Sequence, residues 1–207
     1  MLGEALRERL QPDIETKRTD LVVLAIPRGG VVVGAEAARV LGAPLDVWMA
    51  RKIGAPGNPE FAIGSVSSHG ELVLDQSILD ALGVSRAYID EAVRRERQEL
   101  ERRMTAFRGH AEPVEVTGKT VVLVDDGVAT GATAFSALAA LKRGGAARRI
   151  LAIPVVPLDT LPKLEAAADQ LVVLNVERNF YAVGQFYEHF GQVADEEVIR
   201  LLAEFSH

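Results

Sequence analysis

The sequence predicts an α/β fold of three layers, with helices on both faces of a mostly parallel sheet. Two observations carry this. Short β-branched apolar runs alternate with helical patterns rich in small residues almost from end to end, and strand, helix, strand in repetition builds a parallel sheet through crossover helices. The runs are also continuous rather than alternating in polarity, as strands covered on both faces are. LVVLAI (21–26), PLDVWMA (44–50), TVVLV (120–124), RILAIPVV (149–156) and QLVVLNV (170–176) are each too short to be a core helix and read as strands. Between them, GVVVGAEAARVLG, GATAFSALAALKRGG and TLPKLEAAAD have helical character and end near glycine or a polar turn.

One segment breaks the rhythm. After the second strand come the Gly/Pro stretch GAPGNPE and then FAIGSVSS and ELVLD separated by HG, a hairpin-like excursion rather than a crossover. SRAYIDEAVRRERQELERRMTAFRG follows and reads as one long helix. Asp90 with Arg94, Glu91 with Arg95 and Glu99 with Arg103 stand four apart in the favourable acid-first order, so its outer face is expected to be solvated and ion-paired. No internal repeat, low-complexity tract or linker interrupts the chain, and residues 1–207 are expected to form one domain.

Composition narrows the function. The 207 residues are 48% hydrophobic and 25% charged, ordinary for a soluble globular chain. A net charge of −6 argues against a large nucleic-acid footprint, which requires a basic surface. With no cysteine there is no disulfide, thiol chemistry or Cys-ligated zinc, and the four histidines are too widely spaced to suggest a metal cluster. Any metal is expected on oxygen ligands. The opening MLGEALRERL lacks the apolar centre of a signal peptide, and no run approaches the ~18 apolar residues of a membrane span. A cytoplasmic location is the expectation.

The stretch VVLVDDGVATGAT (121–133) is where chemistry enters. A buried-type strand runs straight into two adjacent acids, Asp125 and Asp126, and then into a loop almost without side chains. Ligands of open parallel sheets bind beyond the carboxyl ends of the strands. Two acids placed there repel each other, so the position asks for hydroxyl donors or a cation. A magnesium-chelated ribose diol meets both demands. Gly127 to Thr133 lead into a helix starting near Ala132, whose free N–H groups form an anion site. Gly131 lets the backbone approach closely, and Thr130 and Thr133 can donate to a phosphate. Acids for a sugar and a loop for its phosphate describe a phosphorylated ribose.

DDGVATGAT resembles the signature of the type I phosphoribosyltransferases, which bind 5-phosphoribosyl-1-pyrophosphate (PRPP). Two further stretches are similar to that family. LAIPRGGVVVGAEAARVLG resembles its pyrophosphate loop, with Arg28, Gly29 and Gly30 where backbone amides face the pyrophosphate and where a non-proline cis peptide is common. MARKIGAPGNPE places Arg51 and Lys52 where a cation reaches the pyrophosphate, ahead of a mobile loop, Gly54 to Glu60, that closes over the site. The resemblance spans roughly residues 20 to 180. It implies a mixed sheet in order 3-2-1-4-5-6 with the third strand antiparallel, a place that FAIGSV fits. GKT at 118–120 is not a P-loop, because Pro113 stands where the first glycine is needed, and GGVVVG lacks the dinucleotide-binding register.

The resemblance implies transfer of ribose 5-phosphate from Mg-PRPP to a nitrogen nucleophile of nucleobase type, with release of pyrophosphate. Lys52, Arg28, Asp125 and Asp126 would be the catalytic residues. Gly29, Gly30, Arg51, Asp125, Asp126, Gly127, Ala129, Thr130, Gly131, Ala132 and Thr133 would bind PRPP. Magnesium (Mg2+) is the implied cofactor, with Asp125 and Asp126 acting indirectly, through ribose hydroxyls or water. Ala129 stands where 6-oxopurine transferases carry an aspartate, which speaks against hypoxanthine or guanine. The acceptor is expected under a hood built from the N-terminal helix, the 70–110 insertion and the C-terminal tail, where Phe180, Tyr181, Phe186 or Tyr187 could stack on a base. The expected partners are PRPP and a small-molecule acceptor, with a homodimer as an allowed assembly and neither nucleic acid nor membrane. The alternatives left open are a non-catalytic regulator that binds PRPP or a nucleotide, and a nucleotide hydrolase or phosphorylase.

Overall fold

The structure is a computed structural model that describes residues 1–15, 20–109 and 113–205, with the backbone alone for residues 11–15. His110 and His207, which end the 70–110 insertion and the C-terminal tail, lie outside the described residues. In chain order the elements are α1 (Leu2–Glu15), β1 (Leu21–Ala25), α2 (Gly29–Leu41), β2 (Leu45–Val47), β3 (Ala50–Ala55), β4 (Asn58–Ser67), β5 (Leu72–Leu74), α3 (Gln76–Leu82), α4 (Arg86–Arg108), β6 (Thr120–Val124), α5 (Ala132–Arg143), β7 (Arg148–Pro157), α6 (Leu161–Ala167), β8 (Gln170–Glu177), a short 3-10 turn (Val183–Phe186) and α7 (Asp195–Ala203).

Five strands form one wholly parallel sheet in the order β2-β1-β6-β7-β8. Two of its three interior strands, β1 and β6, have no solvent-facing side: Val22 to Ala25 and Val121 to Val124 are completely buried, which is why both read as unbroken apolar runs. One face is covered by α1, α2 and α7 through Leu6, Leu10, Val31, Ala35 and Val198. The other is covered by α5 and α6 through Ala137, Leu138, Leu141 and Leu164. Full burial of one such aliphatic side chain contributes about 1.5–3 kcal/mol, so the two layers hold the strand ends in register.

The excursion forms its own three-stranded antiparallel sheet, β3-β4-β5. This corrects the expected strand order. FAIGSV lies in β4, and β4 is antiparallel, but β3 and β5 occupy both of its edges, so it cannot add to the parallel sheet beyond β2. PLDVWMA is likewise two elements rather than one. Trp48 still donates its main-chain N–H to the Ala25 carbonyl of the parallel sheet at 2.8 Å, whereas Met49 bonds to Ser68, its N–H donating to the Ser68 side-chain Oγ at 3.0 Å and its carbonyl accepting from Ser68 N–H at 2.8 Å. The chain changes sheets between these two residues.

GAPGNPE is not a loop. Gly54 and Ala55 end β3, Asn58 begins β4, and the Tyr88 hydroxyl donates to the Gly54 carbonyl at 2.9 Å, tying the hairpin to α4. The long helix α4 joins the sheets: Ile89, Ala92 and Val93 pack under the small sheet, and Met104 and Phe107 reach the main core. On its outer face Glu99 pairs with Arg103, as its spacing predicts, but Asp90 pairs with Arg86 and Arg94 with Glu91. The N-terminal helix packs on the main sheet, with Leu2, Leu6 and Leu10 buried in the main core.

Candidate functional site

The connections make a crevice at one place. β1 runs into α2 and returns as β2 on one side, while β6 runs into α5 and returns as β7 on the other. Strand order therefore reverses between β1 and β6, and no crossover covers the gap beyond their carboxyl ends. The two strands stay paired to that end, where Ile26 N–H donates to the Val124 carbonyl at 2.9 Å. The Pro-Arg-Gly-Gly loop after β1 thus lies beside Asp125 and Asp126 after β6, and the peptide bond between Pro27 and Arg28 is cis.

The two motifs are shaped to each other. A β-carbon placed on Gly29 would lie 1.8 Å from Asp126 Oδ2, and one on Gly30 would lie 3.0 Å from Asp125 Cα and the Val124 carbonyl oxygen. Neither glycine can carry a side chain without moving the acids. Asp126 N–H donates to Asp125 Oδ1 at 2.9 Å. Burial, reinforced by the neighbouring Asp126 charge, holds the Asp125 carboxyl well above the usual carboxylate range, and burial raises Asp126 as well. Among the described residues neither acid makes an ion pair, and no third acidic or histidine side chain joins them in a metal-binding group. Among the described residues no cation pairs with them, so the pair holds protons above the ordinary range until a ligand or cation takes their place.

Two helices begin beside this pair with their first amides free. α2 starts after Arg28 and α5 after Gly131, neither start has a side-chain cap, and neither first turn holds an acid. Gly131 has φ +82°, and a β-carbon there would meet the Phe135 ring at 2.5 Å, so glycine is required on both counts. The loop before α5 is pinned from behind: Val128 N–H donates to the Val155 carbonyl at 3.1 Å, and Thr160 Oγ1 donates to the Ala129 carbonyl at 3.0 Å. Ala129, Thr130, Ala132 and Thr133 are exposed in front. Free amides at a helix start, with the dipole's positive end, are an anion site.

Lys52 and Arg51 part company, because successive residues of β3 point to opposite faces. Lys52 lines a cleft of about 830 Å³ together with Trp48, Ser65, Asp75, Ala132 and Thr133. Its Nζ is 2.5 Å from Glu60 Oε2 across the hairpin. Arg51 lies on the other side, where Glu96 of α4, nearly fully buried, holds its guanidinium at 2.6 Å. Arg28 lies 3.7 Å from Asp195 at the start of α7. The structure therefore sets Gly29 and Gly30 against Asp125 and Asp126 and sets Lys52 in a cleft with Ala132 and Thr133 of the loop that follows the acids. It turns Arg51 away.

Several contacts at the site carry no signal in the sequence. Glu60 on Lys52 depends on the register of the β3–β4 hairpin, Phe135 against Gly131 on the turn into α5, and Thr160 behind Ala129 on how distant segments meet. The aromatic tail contributes Tyr187, whose hydroxyl donates to the Asp126 main-chain carbonyl at 2.5 Å. Burial, with the charges of Asp126 and Asp125 behind it, pushes the Tyr187 phenol up to about 12. Phe180 and Phe186 pack on each other with ring centroids 5.4 Å apart, and Tyr181 is almost fully exposed.

Comparison with known proteins bears on the family and the fold. The family model described as a phosphoribosyl transferase domain matches residues 3–188. Two proteins of Mycobacterium tuberculosis, from strains CDC 1551 / Oshkosh and H37Rv, are each 39% identical over 200 residues and bear the names "Putative phosphoribosyl transferase MT0597" and "Putative phosphoribosyl transferase Rv0571c". The match covers 97% of this chain and 45% of each relative, so the chain spans less than half the length of these curated relatives. The crystal structure of TT1426 from Thermus thermophilus superposes with a TM-score of 0.81 at 42% identity, covering 100% of this chain and 96% of that one. With the family model spanning almost the whole sequence and the fold shared throughout, the chain belongs to the phosphoribosyl transferase family.

Proposed function

We propose that this protein transfers ribose 5-phosphate from PRPP to a nitrogen nucleophile of nucleobase type, breaking the C1–O bond to pyrophosphate and forming a C1–N bond. The observation that carries this reading is the unneutralised acid pair flanked by two uncapped helix starts. It matches a ligand with a ribose diol between two anionic ends. In this reading the α5 start and the hydroxyls of Thr130 and Thr133 bind the 5-phosphate, and the amides of Gly29 and Gly30 bind the pyrophosphate. Asp125 and Asp126 accept the ribose hydroxyls.

Magnesium fits the residues present: two raised carboxylates that have, among the described residues, no paired cation and no third ligand suit an ion that takes most of its oxygens from substrate and water. Asp125 and Asp126 would hold it, through ribose hydroxyls or water, and when bound it would screen the pyrophosphate charge. Lys52 meets the negative charge that grows on the departing pyrophosphate, an interaction stronger in the transition state than before it. To do so it leaves Glu60, and closure of the β3–β4 tip would shield the reacting carbon from water. Arg28 supplements Lys52. Ala129 offers no acid or base to a purine ring, which favours acceptors other than 6-oxopurines. A regulator that binds PRPP without turnover is the competing outcome.

A pyrophosphate-release screen with PRPP, magnesium and a panel of purines, pyrimidines and other nitrogen heterocycles tests the proposal. Release that requires both one acceptor and magnesium is expected. Binding of PRPP with no release across the panel would make the protein a sensor. Liberation of ribose phosphates from nucleotides without pyrophosphate would make it a hydrolase or phosphorylase.

A further inference from the structure

We infer that Tyr187 is a positioning residue for the acid pair: its hydroxyl fixes the peptide from which Asp126 projects, and thereby holds both carboxylates in the geometry that receives the ribose. The inference rests on the phosphoribosyl-transfer reading above.

The acid turn is held at three successive points. The Asp126 amide is taken by Asp125 Oδ1 at 2.9 Å, and the Asp126 carbonyl accepts from Tyr187 at 2.5 Å. The next residue, Gly127, is wedged between the main sheet and the tail, since a β-carbon there would come within 2.7 Å of Val183 and 2.9 Å of Val155. The tail that supplies two of these contacts is itself braced. Gln185 Oε1 accepts from Tyr181 N–H at 2.9 Å and Ala182 N–H at 3.2 Å, and Gln185 Nε2 donates to the Asn179 carbonyl at 2.8 Å. The Tyr187 ring leans on Phe190 with centroids 5.2 Å apart, and Phe190 in turn packs on Gly184. The hydroxyl is therefore presented from a packed aromatic pair rather than from a loose chain.

The acids need this restraint. Two adjacent carboxylates relieve their repulsion by rotating apart, and the backbone torsions around Asp126 are the nearest freedom available. A half-buried donor on the Asp126 carbonyl opposes that rotation, and it comes from 61 residues away, so the β6 strand cannot supply it locally. A positioning role differs from a merely structural one in what it should change. Loss of the hydroxyl should weaken ligands held by the acids and spare ligands held only by the 127–133 loop.

The test is Tyr187→Phe, which keeps the ring and its packing on Phe190. Affinities for PRPP with magnesium, PRPP with EDTA, and inorganic phosphate are measured by calorimetric titration alongside thermal melting. The expected result is a loss of about tenfold for PRPP with magnesium, the scale of one hydrogen bond. Affinity for inorganic phosphate should stay unchanged, and the melting temperature should fall by no more than a few degrees, the cost of one hydrogen bond. Wild-type affinity for PRPP with magnesium in the variant would overturn the positioning role while leaving the proposed function standing. Equal losses for phosphate and PRPP would overturn it in favour of general support of the fold. A wild-type protein that binds no PRPP would overturn both.

Discussion

The helices of the small sheet and the helices of the crevice begin in different ways. α3 starts on Asp75, whose carboxylate accepts from Ile78 N–H at 3.1 Å, and α4 starts on Ser85, whose hydroxyl accepts from Tyr88 N–H at 3.3 Å. α7 has no such cap but carries Asp195, Glu196 and Glu197 in its first turn, against the dipole. α2 and α5 have neither device, while α6, also without a cap or an acid, opens with Pro162, which has no N–H to satisfy. A cap is worth about 1 kcal/mol and needs one side chain. Two open starts on either side of the acid pair are therefore a stability cost borne where an anion can fill the gap. The same holds for the acids, whose mutual repulsion is destabilising until a ligand neutralises it.

The sharpest way to break this contrast is to close the α5 start. Gly131→Val forbids the φ of +82° and drives a branched side chain into Phe135. Binding of PRPP and of nucleoside 5-monophosphates should fall by about 10³-fold, equivalent to about 4 kcal/mol, as read by calorimetric titration. Next in size is Lys52→Ala, expected to lower turnover by roughly 10² to 10³ once the acceptor is known, with a much smaller loss of PRPP affinity. Steady-state kinetics beside binding separates the two effects, and unchanged turnover would return Lys52 to a surface pair with Glu60.

The acid pair makes a pH prediction. Both carboxyls titrate above their ordinary range in the fold, so over that interval the native state binds more protons than the unfolded chain. Stability of the ligand-free protein should therefore fall as pH rises from about 4, the ordinary carboxylate value, through the raised one. Replacing both acids by asparagine should flatten that slope and raise the melting temperature at neutral pH by a few degrees, at about 2–4 °C per kcal/mol for a chain of this size. A melting series across pH measures it. The smallest effects belong to the capped helices: Asp75→Ala and Ser85→Ala should each lower stability by about 1 kcal/mol and leave PRPP affinity unchanged, as urea titration and calorimetry would show.

What could be read from the residues follows the range of the forces involved. The strand, the two acids, the glycine-rich turn and the helix after it are a local run, and their chemistry is in their order. The same is true of the Arg28–Gly30 loop and of the five apolar strands. The break between Trp48 and Met49 is not local, because it depends on Ser68 offering a better partner than the edge of the parallel sheet. Nor is the parting of Lys52 from Arg51, which a two-residue period allows but which only Glu96 on α4 decides. In the sequence Tyr187 reads as an aromatic residue suited to stacking. Its hydrogen bond to the Asp126 carbonyl comes from the packing of the tail.

The most direct test of the central claim is a calorimetric titration of PRPP into the wild-type protein and into Asp125→Asn/Asp126→Asn, each with and without magnesium, on samples shown to be folded by thermal melting. The account predicts magnesium-dependent binding in the wild type, and its loss in a double variant that melts at or above the wild-type temperature at neutral pH. Wild-type affinity in the folded double variant would contradict it, and the acid pair would then be no more than the end of a strand.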